Sequence, residues 1–139
     1  MGYTVAPEGR LHLPASDDPA AVAAVKAAWA GRPGWYKPGT ADDRPADTLA
    51  DIASYAAAAL ARDGDWVELT YDDEGDPKWS EQATAFYVAI APFVHSGTVA
   101  LRGEDDAQWS YTFHNGQISQ SGWNGWDGSA EPFGEPVQA

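Results

Sequence analysis

Asn115 and Gly116 lie between two runs of alternating apolar and polar residues, and this pair restricts the fold more than any other feature of the chain. A two-residue type I′ turn needs positive φ at both central positions, which Asn-Gly accepts at little cost. Centring the turn there sets Phe113 opposite Ile118 and Tyr111 opposite Gln120. A preceding turn over Gly103 to Ala107 then sets Leu101 against Trp109 and Val99 against Tyr111. Val99, Leu101, Trp109, Tyr111, Phe113 and Ile118 share one face in this register. Thr98, Ala100, Arg102, Gln108, Ser110, Thr112, Gln117 and Ser119 share the other. Such alternation belongs to an antiparallel sheet covered on one side only.

The rest of the chain supplies the cover. Asp18 and Pro19 read as a helix start, Val22, Val25 and Trp29 recur at helical spacing, and Gly31 ends the run. Arg32 to Arg44 holds Pro33, Gly34, Pro38 and Gly39 around Trp35 and Tyr36, the composition of an ordered loop. A second helix is expected from Ala46 to Arg62, with Leu49, Ile52, Ala56 and Leu60 on one side and Gly64 beyond its end. Trp66 to Tyr71 alternates as a strand with Val67, Leu69 and Tyr71 on one face. A third helix is expected from Pro77 or Ser80 to Val94, striped by Trp79, Ala83, Phe86, Ile90, Phe93 and Val94, with Pro92 tightening its last turn.

These elements predict a two-layer α+β fold: an antiparallel sheet of about four strands with two or three helices packed on its aromatic face. If the strands at Trp66 to Tyr71 and Thr98 to Arg102 are parallel neighbours, their helical crossover is right-handed. Residues 1–121 form the expected single domain, and 122–139 a C-terminal arm rich in Gly, Pro and Trp. With 139 residues and 44% hydrophobic content, one core is expected. Without Cys, thiol nucleophiles, thiolate metal sites and disulfides are all excluded. The N-terminal residues lack a cationic patch followed by an apolar run, and no long apolar stretch occurs, so a soluble, cytoplasmic protein that does not span a membrane is expected.

Charge bears on function. The chain holds 21 Asp and Glu against 8 Lys and Arg, a formal charge of −13. A field of that sign repels phosphate backbones and anionic lipid and attracts basic partners, so nucleic acid is not an expected ligand. The acids cluster as Asp63, Asp65, Glu68, Asp72, Asp73, Glu74, Asp76 and Glu81, and again as Glu104, Asp105 and Asp106. Asp72 to Asp76 offers hard oxygen ligands in one turn, yet Pro77 and Ala83 stand where an EF-hand loop counted from Asp72 needs Gly and Glu. No metal and no cofactor is expected. His12, His95 and His114 share neither metal-ligand nor triad spacing, and nucleophile elbows, phosphate loops and dinucleotide fingerprints are missing.

The expected function is that of a non-enzymatic interaction domain binding a basic protein surface, of inhibitor, immunity or nucleic-acid-mimic type. Its two acidic clusters steer the partner, and rings without an assigned interior place, Trp35, Tyr36, Trp66, Trp123 and Trp126, serve as anchors. A second expectation is a small-molecule or carbohydrate-binding module using the exposed Trp and Tyr. Compositional bias alone also yields an acidic surface without any cationic partner.

Overall fold

The structure is a computed structural model and describes residues 3–35, 46–72 and 78–126. Strands β1 (Tyr3–His12), β2 (Ala59–Asp63), β3 (Trp66–Thr70), β5 (Ser96–Gly103), β6 (Gln108–His114) and β7 (Gln117–Gly122) form one antiparallel sheet in the order β2-β3-β1-β5-β6-β7. A two-residue strand, β4 (Lys78–Trp79), pairs with Tyr3 and Thr4 at the start of β1. Helices α1 (Asp18–Trp29), α2 (Leu49–Ala53) and α3 (Glu81–Ile90) complete the α+β fold.

The hairpin register is the expected one: Phe113 faces Ile118, Tyr111 faces Gln120, Leu101 faces Trp109 and Val99 faces Tyr111. Asn115 and Gly116 have φ of 50° and 83°. All six of the predicted inward residues are buried. They join Val22, Val25 and Trp29 of α1, Ile52 of α2, and Phe86, Tyr87 and Ile90 of α3 in a single core. The indole of Trp29 donates to the carbonyl of Gln82 at 3.2 Å and ties α1 to the first turn of α3. Ser80 caps α3 by accepting from the Gln82 N–H, and Pro92 sits in a closing turn of 3-10 helix over Ala91–Phe93.

The sheet has six principal strands rather than about four, and two of the extra ones have distinct causes. β1 occupies a central position although it contains Pro7 and Gly9, residues that ordinarily argue against one. Both backbone groups of Thr4 bond to Glu104 beside β5, so odd positions of β1 turn their backbone to the opposite edge. On that edge β4 pairs at Tyr3 and Thr4 and β3 only from Gly9, so the missing N–H of Pro7 falls in the gap and costs no ladder bond. Gly9 serves close approach, since a Cβ there lies 2.2 Å from the Thr98 carbonyl oxygen.

The second helix is far shorter than the expected Ala46 to Arg62. α2 stops at Ala53, a turn of 3-10 helix covers Ser54–Ala56, and Ala57 adopts φ 64° before the chain enters β2. Leu60 and Arg62, assigned to a helix by spacing, are strand residues opposite Leu69 and Val67. High Ala helix propensity is overridden because Ala56, Ala57 and Ala58 are buried against the core, where small size decides. Nor are β3 and β5 neighbours, since β1 lies between them. Tyr71, expected to face inward with Val67 and Leu69, lies beyond β3 and is 44% exposed.

Candidate binding surfaces

At one end of the sheet the start of β1 meets the turn between β5 and β6. Glu104 accepts from the Thr4 N–H through Oε1 at 2.7 Å, and its own N–H donates to the Thr4 carbonyl. The Tyr3 phenol donates to Asp105 Oδ1, which also accepts from the Ala107 N–H. These bonds hold the Asp105 carboxyl below its usual pKa, the phenol contributing most, while burial and then the carboxylate push the Tyr3 phenol up. Asp106 stands exposed with φ 69°.

Residues 123–126 gather beside this turn. The Trp123 N–H bonds the Gln108 carbonyl, Asn124 is buried, and its Oδ1 accepts from the Trp126 N–H at 2.8 Å. The Trp126 ring lies 6.3 Å from that of Tyr3. Trp123 is 58% exposed and Trp126 41%. Three carboxylates and two bare indoles therefore occupy the same end.

The acids grouped by sequence from Asp63 to Glu81 do not share a surface. Asp63 and Asp65 flank the β2–β3 turn at the opposite end of the sheet. There Asp63 pairs with Arg10 at 3.3 Å, and Asp65 accepts from the Ala15 N–H at 3.0 Å. Glu68 faces out from β3 toward the side of the sheet away from the helices, and Glu81 is exposed in the first turn of α3. Asp72 is 8% exposed and so adds no solvated charge. Asp73, Glu74 and Asp76 lie outside the described residues.

Trp35 and Trp66, by contrast, lie away from Trp123 and Trp126. Trp35 is half-buried against the core, with the Arg32 guanidinium 4.9 Å from its ring centroid. Trp66 lies with Asp63, and Arg10 stands 5.1 Å over its ring. Tyr36 is outside the described residues. Sequence spacing did not reveal that β1 brings His12 to 5.0 Å from Trp66 and 5.2 Å from His95, with His114 two strands away across Ser96. Among the described residues, no group of three or more His, Asp or Glu is placed to hold a metal ion.

Among the described residues, no helix covers the other side of the sheet. Near its turn end a trough of about 790 Å³ runs across the strands. Ala6 on β1, Ala100 on β5 and Ser110 on β6 form its floor, and Glu8, Arg102, Gln108, Ser121, Thr70 and Tyr71 surround it. No sequence motif marks it, because its residues come from five strands and their margins.

Compared with protein-family models, curated proteins and solved structures, the chain finds no match. Among the described residues, no helix is long and apolar enough to cross a membrane.

Proposed function

We propose that this chain is a non-enzymatic binding domain for a basic protein, and that the partner docks at the end of the sheet formed by Glu104, Asp105, Asp106, Trp123 and Trp126. The observation that carries the reading is the placement of two exposed indoles beside an acidic turn that Tyr3 and Thr4 hold in one shape. Clustered carboxylates steer and orient a cationic surface, and a desolvated Trp supplies affinity that rim charges lack. A pre-shaped turn also lowers the ordering cost of association. The −13 formal charge extends the attraction beyond the contact itself.

The test separates this end of the molecule from net charge. Proteins captured from a lysate at low salt are compared for the wild type, for Glu104→Gln with Asp106→Asn, for Trp126→Ala, and for a control removing two charges elsewhere, Asp47→Asn with Glu81→Gln. Gln keeps the acceptor used by Thr4, and Asn accepts the left-handed backbone of position 106. The reading expects one basic partner whose association slows with added salt and is lost in the first two variants only. Equal loss in the control variant assigns the attraction to net charge and ends the docking claim.

A further inference from the structure

The trough on the side of the sheet away from the helices is distinct from the acidic turn and does not depend on the protein-binding reading. Its origin is compositional: Ala6, Ala100 and Ser110 are small residues on three adjacent strands, so the sheet surface drops between longer side chains. Among the described residues that line it, the charges balance. Glu8 faces Ala100 and Ala6 faces Arg102 across β1 and β5, which makes Glu8 and Arg102 diagonal neighbours. They do not pair with each other, and neither forms an ion pair with any other described residue. In a chain of formal charge −13, a concave area carrying one carboxylate and one guanidinium is locally neutral.

We propose that this trough is a carbohydrate-binding site. Under the floor β5 is paired on both edges, with β1 and with β6, so an extended peptide finds no strand to join between them. Recognition must run through side chains. Glu8, Arg102, Gln108, Ser110, Ser121 and Thr70 supply a ring of donors and acceptors, of which the carboxylate, amide and guanidinium are planar groups able to engage two neighbouring hydroxyls at once. Tyr71 adds an exposed aromatic wall with an apolar face and a polar tip. A sugar ring carries the complementary set, closely spaced hydroxyls around its rim and an apolar C–H face, and it is uncharged. The volume falls within the range of small-ligand sites, roughly 300–1,000 Å³.

The test is a titration of the labelled full chain, followed by backbone amide resonances, with linear tetrasaccharides of glucose, N-acetylglucosamine, mannose and xylose. At least one is expected to give saturable shifts at tens of millimolar or below, centred on Ala6, Ala100, Ser110 and Tyr71. Arg102→Ala and Ala100→Phe are each expected to weaken that binding roughly ten-fold or more. Position 100 is exposed on a strand, where Phe is well tolerated, so resonances away from the trough report that the fold persists. Sugar shifts are expected to be insensitive to salt and to Trp126→Ala, which separates this claim from protein docking. Three results overturn it: no saturable shift with any of the probes, shifts centred on Trp123 and Trp126, or binding unchanged in Ala100→Phe.

Discussion

The Tyr3 phenol donates to Asp105 at 2.5 Å, across 102 positions of sequence, and so fastens the first residue of β1 to the turn between β5 and β6. The lowered carboxyl pKa follows first from this contact and then from the Ala107 N–H. The sign of its pH dependence is fixed. A carboxyl whose folded pKa lies below its unfolded value stabilises the fold above the unfolded value, near pH 4, and loses that contribution as pH falls through the folded one. Tyr3→Phe removes the principal cause. The gap in denaturation midpoint between wild type and Tyr3→Phe is therefore expected to be widest at neutral pH and to close below about pH 4. A gap that persisted in strong acid would assign the effect to packing. On the alkaline side, the raised phenol predicts that Tyr3 does not titrate with exposed tyrosines, visible as delayed tyrosinate absorbance.

Two buried tyrosines in the core predict opposite responses to the same substitution. Tyr111 accepts from the Trp109 indole at 3.3 Å and lies 3.3 Å from the Thr84 hydroxyl, whereas the Tyr87 hydroxyl is buried without a hydrogen-bond partner. Burying an unsatisfied polar group costs about 1–3 kcal/mol, so Tyr87→Phe is expected to leave stability unchanged or raise it by about 1 kcal/mol. Tyr111→Phe is expected to cost about 1–2 kcal/mol, because it strands the buried Trp109 N–H. The ring stack is kept in both variants: Tyr87 lies 6.1 Å from Trp79 and 5.3 Å from Tyr111. Chemical denaturation with unchanged slopes checks the pair, and a loss for Tyr87→Phe comparable to that for Tyr111→Phe contradicts it.

What could be read in advance depended on whether local chemistry agreed with the tertiary position. Between Val99 and Ile118 the alternation, the Asn-Gly turn and the aromatic face all specify the same hairpins, and the register follows. At Tyr3 to His12 they conflict. Pro7 and Gly9 hide a central strand whose proline is tolerated only because its partners leave a gap on one edge. At Ala56 to Ala58 alanine means close packing and not helix, a distinction spacing does not encode. For the surface, sequence proximity grouped Asp63 and Asp65 with Asp72 and Glu81, while the fold sends them to different ends and sides. The trough was illegible for a related reason, since small residues two apart on separate strands carry no signature until the strands are aligned.

At the centre of the sheet β1 and β5 approach so closely that two positions, Gly9 and Gly97, admit no side chain. Gly97 has φ 128°, and a Cβ there lies 2.3 Å from the Arg10 carbonyl oxygen and 2.9 Å from the Leu11 Cα. Both obstacles are backbone, so neither yields by a rotamer change. Gly31 also has positive φ, 78°, yet a Cβ there meets nothing within 4 Å. Gly31→Ala pays only for the left-handed conformation, about 1–2 kcal/mol. Gly97→Ala pays for conformation and also separates the central strand pair, so a loss of about 3 kcal/mol or more is expected. The affected strands carry Ala6, Ala100 and Arg102, and the trough is thereby coupled to the same contact. Amide exchange in Gly97→Ala should accelerate along both β1 and β5, while in Gly31→Ala it should change only near the end of α1. Equal losses from the two substitutions would mean that backbone conformation, and not the close approach of the strands, sets the requirement for glycine at position 97.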